Sequence, residues 1–114
     1  MHQLPEEREI SFEMPRGSTT IIGYNPQALV RCLAGIDVQK LHFPQDRKDV
    51  SEAEQALFEC LCPSLYTFEC PALFVDLPLT KEAIDDLPYV ILVRITEGII
   101  EDFSLLTKSK QAIN

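Results

Sequence analysis

The sequence predicts a single α+β domain: a largely antiparallel sheet of about five to seven strands, with two or three short helices on one face. Three observations carry this. Short alternating or β-branched segments recur between turn residues. Three segments pair an N-cap residue with apolar positions at helical spacing. The 114 residues, 46% of them hydrophobic, suffice for one core, and no stretch reads as an interdomain linker.

The elements follow in order. Residues 8–14 alternate, with Ile10, Phe12 and Met14 on one face and Glu9, Ser11 and Glu13 on the other, as in a half-buried strand. Pro15 to Ser18 reads as a turn, and the β-branched run Thr19 to Ile22 returns as the second strand of a hairpin. Asn25 is a good N-cap and Pro26 suits a first helical position. Ala28, Leu29, Cys32 and Leu33 then form one stripe, and Gly35 is a natural left-handed cap, so a helix spans about 26–34.

Residues 36–43 alternate imperfectly and suggest a strand, followed by a charged loop over 44–49. Ser51-Glu52-Ala53-Glu54 is a capping box. It opens a helix whose stripe is Ala53, Ala56, Leu57, Cys60 and Leu61, closed by Pro63. Leu65 to Cys70 and Ala72 to Leu77 read as strands, with Pro71 marking an edge, bulge or bend between them. Thr80 caps a short helix that faces Ala83, Ile84 and Leu87 inward and stops at Pro88. The run Tyr89 to Val93 reads as a strand buried on both faces, extended through Thr96. Glu97-Gly98 supplies a two-residue turn, and Ile99 to Leu106 returns antiparallel. Residues 1–7 and 107–114 read as loose termini around this single domain.

The net charge is −8, from 10 basic and 18 acidic side chains. The excess lies in residues 51–106, which hold eleven carboxylates against Lys81 and Arg94. Nucleic-acid backbones and anionic membrane surfaces both require clustered cations, so neither is expected as a partner. The start of the chain shows no basic region followed by an apolar one, which predicts a cytoplasmic protein without a secretion signal.

No reading of the sequence assembles a catalytic constellation, and no cofactor is expected. Each glycine is isolated, so no loop cradles phosphate. Cys60-x-Cys62-x7-Cys70 with His42 has the wrong spacing for structural zinc, and no metal is predicted. Cys32 and Cys60 read as small core residues carrying reduced thiols. Cys62 and Cys70, which flank Pro63 outside the helix, are the candidates for reactive thiols. Asp76 stands within an apolar run, with Arg94 as its candidate partner.

The function expected is therefore a small acidic protein-binding or regulatory module: an inhibitor, immunity-type partner, adaptor or chaperone engaging a basic protein. Asp85, Asp86, Glu101 and Asp102 are the expected contact residues. A homodimer through a sheet edge is a second assembly the fold admits. The alternative is a small-molecule-binding protein or small enzyme with a pocket built from Cys62, Cys70, His42 or Asp76.

Overall fold

The computed structural model describes residues 4–14, 18–69 and 80–112, with side chains throughout these except at Cys62 and 108–112. The domain is α+β. Strands β1 (Arg8–Glu13), β2 (Thr19–Tyr24) and β3 (Leu65–Glu69) form an antiparallel sheet in the order β1-β2-β3. Among the described residues four α-helices accompany it: α1 (Pro26–Leu33), α2 (Glu52–Ser64), α3 (Lys81–Asp85) and α4 (Tyr89–Ala112).

The hairpin forms as its alternation predicts, with Ile10 opposite Ile22 and Phe12 opposite Thr20. Ile22, Tyr24 and Leu65 are buried, and Ile10, Phe12 and Phe68 pack beside them, so one sheet face meets the helices. Side chains alternate along each strand. Glu9, Ser11 and Glu13 therefore share the other face with Thr19, Ile21, Gly23, Thr67 and Glu69. The β2–β3 register slips between Gly23 and Tyr24, and Tyr66 is the extra residue. The bulge brings Tyr66 and Thr67 over Gly23, where a Cβ would meet the Tyr66 ring at 2.6 Å. Only glycine leaves room for that ring.

The helix starts are local chemistry. Asn25 Oδ1 accepts from the Ala28 N–H at 3.0 Å, Pro26 occupies the first turn, and Gly35 follows the helix at φ 86°. The capping box closes both ways. Ser51 Oγ accepts from the Glu54 N–H at 3.2 Å, and Glu54 Oε1 accepts from the Ser51 N–H at 3.0 Å. Thr80 caps α3 through the Ala83 N–H, with Ile84 and Leu87 buried.

Three strands, rather than five to seven, are present among the described residues. The 36–43 segment is a 3-10 turn at Val38–Lys40 flanked by irregular chain. Its apolar positions are Ile36, Val38, Leu41 and Phe43, so the alternation slips by one where that turn is inserted. Pro63 does not close α2. It sits in the last turn, and Ser64 Oγ finishes the helix by donating to the Cys60 carbonyl at 2.7 Å. The expected strand at 72–77 lies outside the described residues.

The largest correction concerns the C-terminal third. The expected strand over 89–96, the Glu97-Gly98 turn and the returning strand 99–106 are one helix, α4, which continues through Ala112. Leu92, Ile95, Thr96 and Ile99 are buried, while Val90, Glu97, Glu101 and Leu105 are exposed, which is a helical period and not a strand one. A short apolar run such as 89–93 fits either structure, and length decides between them. Gly98 makes no turn: a Cβ there would stand 2.9 Å from the Phe12 ring, so its role is close approach of α4 to β1. Among the described residues no helix is long and apolar enough to cross a membrane.

Cys32 and Cys60 also depart from expectation. Both lie on the apolar stripes of their helices, and those stripes face each other across the α1–α2 contact. The pair is joined as a disulfide with Cα atoms 5.6 Å apart, instead of standing as two free thiols.

Candidate protein-docking surface

A groove of about 380 Å³ runs between β1 and the outer side of α4. Arg8 to Phe12 form one wall. The other is Arg94, Gly98, Glu101, Asp102 and Leu105, spaced to lie along one side of a helix. Its floor is organised by two contacts. The Arg94 guanidinium lies 4.6 Å from the Phe12 ring centroid, a cation–π arrangement. At the other end Arg8 grips Asp102 with two bonds, Nη2 to Oδ1 at 2.8 Å and Nε to Oδ2 at 3.0 Å.

Asp102 accepts a third bond, from the Tyr24 hydroxyl at 2.6 Å. Burial pushes the Tyr24 phenol well above its usual range, and donation to Asp102 reinforces this. For Asp102 burial acts upward, but the Arg8 and Tyr24 bonds outweigh it and hold the carboxyl below the usual range. Arg8 belongs to β1, Tyr24 to β2 and Asp102 to α4. The cluster therefore locks the helix across the sheet and leaves Asp102 committed within the fold.

Among the described residues no strand neighbours the outer edge of β1 in the sheet. Its backbone orientation follows from the hairpin. The Met14 N–H donates to the Ser18 carbonyl at 2.8 Å, and bonded pairs alternate with non-bonded ones in an antiparallel ladder. Phe12, Ile10 and Arg8 therefore bond across to β2, and Glu9, Ser11 and Glu13 turn their N–H and C=O groups outward. Their side chains lie on the open face of the sheet and are exposed. Glu69 and Tyr66 are also exposed, and Glu7 and Glu9 are near enough to raise the Tyr66 phenol beyond what burial does. None of the open-face strand positions is Lys or Arg.

The residues expected to form a site are dispersed. Asp86 is exposed as the C-cap of α3, and Asp85 is partly buried with its carbonyl accepting from Arg47. Glu101 and Asp102 lie on α4, where Glu101 is exposed at the groove and Asp102 is held as described. His42 presents an exposed ring, while its backbone N–H donates to Glu54 Oε2 at 2.9 Å. Cys70, Asp76 and the Cys62 side chain lie outside the described residues. Arg94, proposed as the partner of Asp76, is stacked on Phe12. Among the described residues no three His, Cys, Asp or Glu side chains gather as a metal site.

A second groove, of about 460 Å³, is mainly apolar. Phe43, Pro44, Tyr89, Val90 and Val93 line it, with Arg94 and Glu97 at the rim. Phe43 stacks on Phe58 at 5.7 Å, and the Tyr89 hydroxyl donates to the Pro44 carbonyl at 2.5 Å.

Sequence reading found the Glu9/Ser11/Glu13 face from its alternation. It missed the Arg8–Asp102–Tyr24 cluster, whose members are up to 94 residues apart and share no local pattern. No protein-family model, curated protein or solved structure matches this chain.

Proposed function

We propose that this chain is a small acidic protein-binding module that engages a basic protein partner. One observation carries the reading: the open sheet face and its outer edge present Glu9, Glu13 and Glu69 beside exposed Tyr66, with no cationic strand position among them. Like charges on one face attract an opposite surface and speed its encounter, and aromatic residues supply contact area. Asp85, Asp86 and Glu101 extend the acidic character to the helices. Asp102 contributes by holding α4 in place.

The test is retention of partners from the native host at low and at moderate salt. A partner held at low salt and released as salt rises supports the reading, and retention indifferent to salt opposes it. Comparison with Asp85→Asn/Asp86→Asn decides whether that pair makes the contact. The reading takes the encounter to be cytoplasmic. The Cys32–Cys60 bond bears on this, because disulfides persist in oxidising compartments. Alkylation of the pair at the moment of lysis measures its state directly.

A second reading, small-molecule binding, is favoured by the apolar groove over Phe43 and Tyr89, whose volume falls in the range of ligand pockets. It predicts that an apolar ligand raises the melting temperature and that Val90→Glu abolishes the rise.

A further inference from the structure

We infer that the partner is bound by strand addition: an extended basic segment pairs with the outer edge of β1, which no strand among the described residues occupies. This rests on the basic-partner reading and names the surface and the form of the partner.

Three features converge on the edge. First, Glu9, Ser11 and Glu13 direct three N–H and three C=O groups away from β2, the arrangement that accepts another strand. Second, the groove between β1 and α4 runs along this same edge. Residues Arg8 to Phe12 span roughly 13 Å at strand rise, and Arg94 to Leu105 roughly 16 Å at helix rise, so the groove suits about five extended residues. Third, the side chains on the two sides of the edge differ in chemistry. A residue opposite Glu9 or Glu13 would project onto the open face beside a carboxylate. Residues between these would project into the groove, where Ile10, Phe12 and Leu105 offer apolar contact between the stacked Arg94 and the Arg8–Asp102 pair. The segment that fits is basic, apolar, small, apolar, basic.

Charge also chooses between a partner and a second copy of the chain. Two β1 strands pairing antiparallel about Ser11 would set Glu9 of one copy against Glu13 of the other, twice. Like charges directly opposite destabilise a sheet. A segment with Lys or Arg at those positions makes two favourable cross-strand pairs instead.

The experiment uses the whole chain and the capped peptide Lys-Val-Thr-Val-Lys, with three controls. One replaces both Lys by Glu, one N-methylates the central Thr, and one scrambles the order. Amide shifts and hydrogen exchange are followed by NMR at low ionic strength, and the peptide-free chain is examined by sedimentation equilibrium. The Lys peptide is expected to protect the amides of Glu9, Ser11 and Glu13. The Glu and N-methyl peptides should bind at least about tenfold more weakly. Ser11→Pro removes an edge donor that β2 does not use, and should abolish binding with the fold intact. Glu9→Lys/Glu13→Lys should reverse the preference between the Lys and Glu peptides.

Salt-sensitive binding of the Lys peptide with protection only at other residues, such as Asp85 and Asp86, overturns strand addition and leaves the basic-partner reading standing. Equal binding of Lys and Glu peptides overturns both. Self-association of the free chain with β1 protected overturns the choice of occupant.

Discussion

Two carboxylates hold this domain together, and they do it in opposite ways. Glu54, at the start of α2, is almost wholly buried and accepts from three backbone N–H groups: Ser51 at 3.0 Å, His42 at 2.9 Å and Phe43 at 2.5 Å. All lie within 12 residues. Asp102, on α4, is bound by the side chains of Arg8 and Tyr24, which are 94 and 78 residues away. For Glu54 burial acts upward on its pKa, but three N–H donors outweigh it and bring it to about 2. It ties the irregular 36–50 segment to α2, and Phe43 adopts a left-handed φ of 46° where it donates. Asp102 ties α4 to the sheet. A short-range clamp organises one loop; a long-range clamp fixes the arrangement of the layers.

The largest effect is expected at Glu54. Glu54→Ala leaves three backbone donors without their acceptor and should destabilise by roughly 3 kcal/mol, read from denaturant midpoints. The same clamp sets an acid limit. A carboxyl held below its unfolded value contributes stability that is complete above about pH 4.5 and is lost as pH falls toward 2. Parent stability should therefore fall over that window, and Glu54→Gln should show a shallower decline there. Identical pH profiles would show that Glu54 does not supply this dependence.

Asp102→Ala should cost about 2 kcal/mol, because the Tyr24 hydroxyl is left buried without its acceptor. Its exchange signature sharpens the comparison: protection should fall on both α4 and β1, whereas Glu54→Ala should loosen 36–50 first. A loss confined to α4 would mean that Asp102 does not lock the layers.

Ser51→Ala should cost roughly 1 kcal/mol, since one of the two capping-box bonds remains. Coincident midpoints for mutant and parent would deny the hydroxyl its capping role. Arg8→Ala is the smallest effect, under about 1 kcal/mol and shrinking with added salt, because the Arg8 side chain is 43% exposed. A cost as large as that of Asp102→Ala would shift the weight of the cluster from Tyr24 to Arg8.

The same contrast explains which parts of the molecule were legible beforehand. The hairpin, the Asn25 and Thr80 caps and the Ser51–Glu54 box all join residues within a turn or two, or show as alternation along one strand. The acidic edge residues Glu9 and Glu13 were visible for the same reason, as a face of β1. The error in 89–106 arose because an apolar run has no period of its own, and because a glycine needed for packing against Phe12 has the same appearance as one needed for a turn.

The sequence by itself determined the β1–β2 hairpin and the caps at the starts of α1, α2 and α3, because those interactions lie between neighbours. Only the tertiary structure decided that Tyr89–Ala112 is a helix, that Cys32 meets Cys60, and that β1 is an end strand of the sheet the described residues form. Each depends on which surfaces pack together. Burial is indifferent to sequence separation, so Phe12 against Gly98 and Arg8 against Asp102 leave no local trace in the residues between them.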